Sequence, residues 1–409
     1  MKVLAYTSPA RGHLNPMMGP LLELHRRGAE VHVRTLAPAI DAVRAAGLEA
    51  EPLAPEIEAV RHTDHLASNQ MASGARSYAT FKARAPLEVP DFEAALDAVG
   101  PDLVLVDCTT YGAKAVAERA GIPWAESQPF LLQEAAARVP PAGLGMRPMG
   151  APLGPLRDRS FNLIASRFDS RFRLPPVNAG RRAAGLGPLA DLAESQHRGA
   201  LTLYFTAEPF DYPRPLPTSV RMVGPGLWDP PGAEPVELPA DKRPLVLVAC
   251  SSEFQDDGEI AATALAGLRD DYRLVVTTAG VDPASLGDPG DALVDRFLPH
   301  GEILPHADVV VCHGGMGVTQ KALSFGVPVC VVPWGRDQLD VAAHVVEAEA
   351  GTRVSRRKLS PSRLAAAVAE ARACRAGAAR VKAGYEATGG TAAAADALEA
   401  LLDRSPDRR

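Results

Sequence analysis

Cysteine is scarce and badly spaced for chemistry. Five residues in 409 (Cys108, Cys250, Cys312, Cys330, Cys374) form no C-x-x-C pair, which leaves no zinc-ribbon or thioredoxin-type motif. Four of them sit in apolar strand-like runs, where a free thiol acts as a small hydrophobe, as expected of a reduced protein. Long apolar runs are missing as well. None approaches the ~20 residues that span a bilayer, and the first residues enter a strand-like run with no signal peptide ahead of it. The expectation is a soluble, cytoplasmic protein with no membrane span. An excess of basic charge is also absent: 43 Lys and Arg face 49 Asp and Glu, for a net charge of -6. That argues against a general nucleic-acid binder. Proline (37) and glycine (35) imply many turns, but no collagen-like or low-complexity period accompanies them.

What is present is alternation. Lys2-Thr7 is a short apolar run, Leu14-Arg27 carries apolar residues at helical spacing, and Glu30-Arg34 is a second strand candidate. The order recurs with Leu103-Asp107, a helix over Tyr111-Ala120 and a strand near Trp124. Continuous apolar strands alternating with helices predict a parallel sheet covered on both faces. Between Val60 and Arg84, and again between Gln133 and Arg182, the periodicity weakens while aromatics, methionines and prolines accumulate. Irregular insertions that build a pocket and loosely packed helices are both open readings there. The stretch Trp228 to Pro244, "WDPPGAEPVELPADKRP", is proline-rich and aperiodic and reads as a linker. The alternation then restarts with Leu245-Cys250, Arg273-Thr278, Val309-Cys312 and Val329-Val332. The predicted fold class is α/β, with two doubly wound, Rossmann-like parallel-sheet domains facing across a cleft: residues 1–227, linker 228–244, and 245–390. A last helix and tail (391–409), apolar on one face, would pack back on the N-terminal domain.

Two constellations lie where strands should end. In "RGHLNP", His13 follows the first strand into its turn. A residue at that rim of an open α/β sheet points into the ligand crevice, and imidazole titrates near neutrality, as a general base must. Asp107 ends "PDLVLVD" at the same rim and could hold such a base. The alternative is that both residues are helix caps. The second constellation runs from Cys312 to Asp340. His313-Gly314-Gly315-Met316-Gly317-Val318 follows a strand and opens a helix, offering glycines for close approach and unpaired N–H groups for a phosphate. The loop matches neither G-x-G-x-x-G nor the P-loop. The next strand ends in Pro333-Trp334-Gly335-Arg336, followed by Asp337-Gln338, a carboxylate and an amide suited to neighbouring hydroxyls of one sugar.

With these blocks in view, "GHLNP", "PDLVLVD", "RFLPHGEILPHADVVVCHGG" and "GVPVCVVPWGRDQ", the sequence resembles the GT-B glycosyltransferases of family 1 over nearly its whole length, in particular those that glycosylate antibiotics and macrolides. The resemblance implies His13 as the base that deprotonates an acceptor, with Asp107 holding it. It implies His313, Gly314, Gly315, Gly317 and Val318 at the donor diphosphate, with Ser251 and Ser252 approaching it. Asp337 and Gln338 would hold sugar hydroxyls, and Phe297 and Leu298 the nucleobase. One position departs: the family's ribose-gripping acid on the donor helix is Lys321 here, and an ammonium only donates. If no carboxylate reaches the ribose edge, a dTDP donor should be favoured over UDP; the competing reading is that Lys321 turns toward the diphosphate and strengthens both nucleotides equally. No D-x-D occurs, so no metal clamp is expected; helix dipole, backbone N–H groups and His313 would take the leaving-group charge, with no cofactor beyond the nucleotide sugar.

The expected function is inverting transfer from a nucleotide-diphosphate sugar, dTDP- or UDP-linked, to a small apolar natural-product acceptor. Met71, Tyr78, Phe81, Phe130 and Met146, with Met149 and Phe161, are the candidate acceptor contacts, although such side chains more often serve plain packing. A nucleotide-sugar epimerase of similar architecture and a non-catalytic homologue that binds the nucleotide sugar or stabilises a partner are the rival readings. A homodimer is left open.

Overall fold

The computed structural model describes residues 1–403 except 134, 135, 137, 138, 151, 152, 197 and 233; the tail 404–409 of the expected C-terminal segment therefore lies outside the described residues. Among the described residues the strands form two sheets, every pairing in them parallel. The first holds β1 (Lys2–Tyr6), β2 (Glu30–Thr35), β3 (Glu49–Pro52), β4 (Leu103–Asp107), β5 (Trp124–Gln128), β6 (Leu201–Tyr204) and β7 (Val220–Met222), in the order β3-β2-β1-β4-β5-β6-β7. The second holds β8 (Leu245–Ala249), β9 (Arg273–Thr277), β10 (Leu293–Asp295), β11 (Val309–Cys312), β12 (Val329–Val331) and β13 (Gly351–Arg353), in the order β10-β9-β8-β11-β12-β13. The central strands are buried end to end, as in β4 and β8, because helices cover both faces.

The last helix, Gly390–Asp403, returns to the first sheet. Its Ala394, Ala395, Leu398, Leu401 and Leu402 share one core with Leu14, Met17, Met18, Leu21 and Leu24 of the helix Arg11–Arg26. Gly19 permits the close approach, since a Cβ there would meet the Thr391 methyl at 2.5 Å. The crossing is not the only one. Phe210 and Ala207 from the N-terminal half sit in the C-terminal core beside Tyr385, and the Gln320 amide donates to the Phe205 carbonyl at 2.9 Å.

Both stretches of weak periodicity carry helices over their later parts. Gln70–Val99 is a single 30-residue helix, opened by the Asn69 side chain accepting from Ala72 N–H at 2.9 Å and closed by Gly100 at φ +58°. Leu153–Phe168 and Leu174–Ala183 are helices joined through a π-helical turn at Asp169–Arg173. The long helix lacks an apolar stripe because its buried face carries Arg84, Glu88 and Asp91. Each of these finds a partner: Arg84 donates to the Val60 carbonyl at 3.0 Å, Asp91 accepts from the Tyr6 hydroxyl at 2.8 Å, and Glu88 accepts from Gly112 N–H at 2.8 Å. Gly112 is forced to be small, because a Cβ would meet the Ala85 carbonyl oxygen at 2.1 Å.

Burial pushes the Glu88 carboxyl up from 4.5 to about 8. Its folded pKa lies above its unfolded one, so the folded chain holds the extra proton inside that window. The associated stability is present below the unfolded value and is lost as pH rises through about 8. Glu88→Gln removes this titration. The variant should therefore gain about 1–3 kcal/mol relative to the parent on moving from roughly pH 5 to pH 8, measured by paired denaturant melts. A pH-independent difference would show that Glu88 is ionised in the folded chain.

Candidate active site

A doubly wound sheet opens a crevice where strand order reverses, because the loops leaving neighbouring strands diverge to opposite faces. In the first sheet the reversal falls between β1 and β4, and in the second between β8 and β11. His13, Asp107, Ser251, Ser252 and the His313 loop leave these four strands, whereas Phe297 and Leu298 follow β10 and Asp337 and Gln338 follow β12.

His13 stands in the first turn of the helix Arg11–Arg26, after β1, and Asp107 is the last residue of β4. Imidazole Nδ1 lies 2.8 Å from Asp107 Oδ2, with side-chain exposures of 13% and 0%. The other carboxylate oxygen accepts from Thr109 N–H at 2.9 Å and from the Thr109 hydroxyl at 2.6 Å, so the carboxylate cannot turn. Accepting from His13 places the proton on Nδ1 and leaves the Nε2 lone pair free, which is the tautomer a base requires. Neither residue is a helix cap: the cap positions are Ala10 and Thr110, and neither of those helices has a side-chain cap. Phe130 meets the imidazole edge-on at 4.9 Å between centroids.

Across the cleft, β11 runs into His313, then Gly314 at φ +92°, then Gly315 as the extended cap residue of the helix Met316–Ser324. No side chain caps that helix, so its first N–H groups are unspent. A Cβ on Gly315 would meet His313 Nε2 at 2.3 Å, whereas one on Gly317 would meet nothing within 4 Å. The imidazole therefore lies over the loop, and the Gly317 face is open, with Val318 half-buried beside it. Burial holds the His313 pKa down at about 4, so near neutral pH it is an uncharged hydrogen-bond partner. From the β8 side, Ser251 N–H donates to Asp257 at 2.8 Å and the Ser251 hydroxyl accepts from Glu253 N–H at 3.3 Å, while Ser252 is exposed.

Asp337 and Gln338 follow β12. Burial, and then Asp340, push the Asp337 carboxyl up to about 6, while the charges of Arg336 and His13 act the other way. One Asp337 oxygen, Oδ2, is buried without a partner. Gln338 is occupied: its oxygen accepts from Trp334 and Gly335 N–H at 2.7 and 2.9 Å, and its amino group donates to Gln255 at 2.9 Å. Phe297 is 63% exposed, with the Arg11 guanidinium 6.0 Å from its ring centre, while Leu298 packs on the C-terminal core. Lys321 is ion-paired to Asp229 of the linker, whose other oxygen accepts from Gly301 N–H at 3.2 Å. The acid missing from the donor helix at Lys321 thus has a carboxylate beside it, brought by the segment between the two sheets.

The family model described as erythromycin biosynthesis protein CIII-like, C-terminal domain, matches residues 269–401. The kitacinnamycin glycotransferase structure superposes with a TM-score of 0.75 at 24% identity, covering 98% of each chain. The glycosyltransferase VinC in complex with dTDP superposes with a TM-score of 0.71 at 23% identity, covering 99% of this chain and 100% of that one. 4'-Demethylrebeccamycin synthase of Lentzea aerocolonigenes is 31% identical over 98% of this chain and 99% of its own. The chain belongs to the GT-B glycosyltransferases of the antibiotic kind.

Of the glycosyltransferase's acceptor candidates, Phe130 touches His13, and Tyr78 and Phe81 join an edge-to-face series with Tyr111, Phe168 and His62. Met146 is half-buried beside the C-terminal domain, its carbonyl accepting from Tyr212 at 3.3 Å. Met71 (61% exposed), Met149 (49%) and Phe161 (37%) lie open. The contacts that bridge the cleft were not foreseen. Arg336, at φ +55°, donates to Asp64 at 2.8 Å, and its carbonyl accepts from Gln70. Asp340 accepts from Gly145 N–H at 2.8 Å and also from Gly143 N–H. A non-glycine residue in the left-handed region has no reliable sequence signal, and partners between 195 and 272 positions apart have none.

Among the described residues, no group of three or more His, Cys, Asp or Glu is placed to hold a metal ion, and no helix is long and apolar enough to cross a membrane.

Proposed function

We propose that this glycosyltransferase inverts configuration while moving a sugar from a nucleoside diphosphate donor, dTDP- or UDP-linked, to a nucleophile on a small apolar acceptor. The observation that carries the reading is the His13–Asp107 pair at one switch point, facing an uncapped helix N-terminus at the other. His13 Nε2 takes the acceptor proton as the acceptor atom bonds to the anomeric carbon. The bond from that carbon to the diphosphate oxygen breaks, and its electron pair leaves with the nucleotide. Asp107 steadies the imidazolium formed.

The departing charge falls on the Met316–Ser324 helix, whose dipole and free N–H groups favour anions, with neutral His313 as a further donor. Partnerless Asp337 Oδ2 suits a sugar hydroxyl, while Gln338 shapes the loop that presents Asp337. VinC, bound to dTDP on the same fold, supports a nucleotide in this cleft. The aromatic series from Tyr78 towards His62, and Phe130 beside His13, would seat the apolar acceptor.

The test is a panel of nucleotide sugars read first by thermal shift, since a bound donor stabilises the fold by mass action, and then by NMR of the product made from the stabilising donor. Inversion at the anomeric carbon is expected; retention would refute the role of His13. We also propose that leaving-group stabilisation needs no metal. Turnover in excess EDTA should stay within about twofold of the untreated rate, because the charge is met by dipoles and N–H groups. Loss reversed by magnesium or manganese would contradict this.

A further inference from the structure

Asp229 lies two residues beyond Leu227, where the chain has left the first domain, and it is 92 positions from the lysine that it meets. The segment leading to it is fixed on the N-terminal side. Trp228 packs on the core beneath the His13 helix, and a Cβ on Gly226 would meet the Pro16 Cα at 2.2 Å. At Asp229 the chain touches the other domain. One carboxylate oxygen takes the Lys321 ammonium and the other accepts from Gly301 N–H at 3.2 Å. The approach is close: a Cβ on Gly301 would meet Asp229 Oδ2 at 2.6 Å and push the carboxylate aside. Next to it, His300 is hydrogen-bonded to the Thr277 hydroxyl at 3.0 Å, and burial with the Lys321 charge holds its pKa at about 4, so it adds no positive charge near neutral pH.

The pair stands where a nucleoside would run. Gly317 and Lys321 are one turn apart on one helix face, and that face is open at Gly317. A nucleoside whose diphosphate sat on the helix N-terminus and which ran along this face would pass Lys321 and Asp229. Lys321 is 12% exposed and Asp229 36%, so the carboxylate edge remains reachable. Each carboxylate oxygen keeps a second acceptor site, and the ammonium keeps two unspent protons. Together they match a sugar hydroxyl, which donates to the one and accepts from the other.

We propose that Asp229, supplied by the interdomain linker and clamped by Lys321, reads the ribose hydroxyls of the donor nucleotide. The inference rests on the donor-site reading above and assigns the ribose contact within it to the linker.

The experiment titrates inorganic pyrophosphate, UDP and 2′,3′-dideoxy-UDP calorimetrically against the full chain, Asp229→Asn and Lys321→Met. The parent should bind UDP at least ~10-fold more tightly than its dideoxy counterpart, the scale of one hydrogen bond to a charged group. In Asp229→Asn that preference should shrink to about threefold or less, with pyrophosphate affinity within about twofold of the parent, because the phosphate site is built elsewhere. Lys321→Met should also shrink the preference, since the carboxylate loses its clamp. An undiminished UDP preference in Asp229→Asn overturns the inference, as does equal weakening of pyrophosphate and UDP, which would mark Asp229 as a structural tie. A parent that binds pyrophosphate and UDP but ignores the ribose hydroxyls also overturns it while leaving the donor-site reading intact. A parent that binds none of the three overturns the donor-site reading itself.

Discussion

Replacing His13 with alanine should lower transfer by ~10²–10⁴-fold, the usual contribution of a positioned general base, while nucleotide affinity stays within about twofold. The asymmetry follows from placement. His13 hangs from the first sheet, whereas every donor group proposed here, Asp229 apart, leaves the second. Single-turnover transfer and nucleotide titration on the same preparation check it, and near-parental turnover across the pH range would remove His13 from the mechanism. Asp107→Asn supplies the second arm. An amide can present its oxygen to His13 or its amino group to it, and the neighbouring Thr109 N–H and hydroxyl both demand an acceptor at this position. If the amide oxygen turns to Thr109, its amino group faces Nδ1, and the imidazole must move its proton to Nε2, where it cannot act as a base. Even with the oxygen on His13, the imidazolium loses a negative partner. Turnover should therefore fall by ~10²-fold or more with the fold retained; an unchanged rate would reduce Asp107 to a turn-forming residue.

How far such a site is legible in a sequence depends on where its residues sit relative to strands. His13, Asp107, Ser251 and His313 all follow the buried cores of β1, β4, β8 and β11, whose apolar runs announce themselves. Parallel topology then sets the loops after β1 and β4, and those after β8 and β11, at one edge of each sheet, on the two sides of its switch-point crevice. The Gln70–Val99 helix was not legible because its buried face is polar: Arg84, Glu88 and Asp91 satisfy hydrogen bonds where an amphipathic helix would bury leucines. Gln338 was legible as a polar residue at a strand end, but not as one whose oxygen is already held by two backbone N–H groups. Lys321 shows the same limit in another form. A missing acid on one helix can be seen in the sequence, whereas its counterpart on a proline-rich linker is brought near only by the folded chain. Asp64–Arg336, which ties the Asp64–Leu66 turn to the loop before Asp337, belongs with it.

His313→Ala is expected to weaken nucleoside diphosphate binding and to slow transfer by ~10²–10³-fold, the range for removing one preorganised donor to developing negative charge. The two effects should differ in size. The leaving diphosphate carries more charge in the transition state than in the bound donor, so an interaction with it is worth more at the barrier than in the ground state. Held at a pKa of about 4 by burial, His313 serves as a neutral donor between roughly pH 5 and 8. Its contribution should therefore be flat across that range, unlike that of a cationic side chain. The substitution also opens space above Gly315, where the ring lies within 2.3 Å of the position a Cβ would take. A paired Gly315→Ala variant separates the two roles: its methyl displaces the imidazole without deleting it, and should cost transfer comparably if the position of the ring, rather than its mere presence, matters. Calorimetric titration of the diphosphate alongside single-turnover rates distinguishes the outcomes. Unaltered diphosphate affinity together with unaltered transfer in His313→Ala would place the leaving-group charge on the helix N-terminus alone, with the imidazole reduced to a buried filler between the loops after β8 and β11.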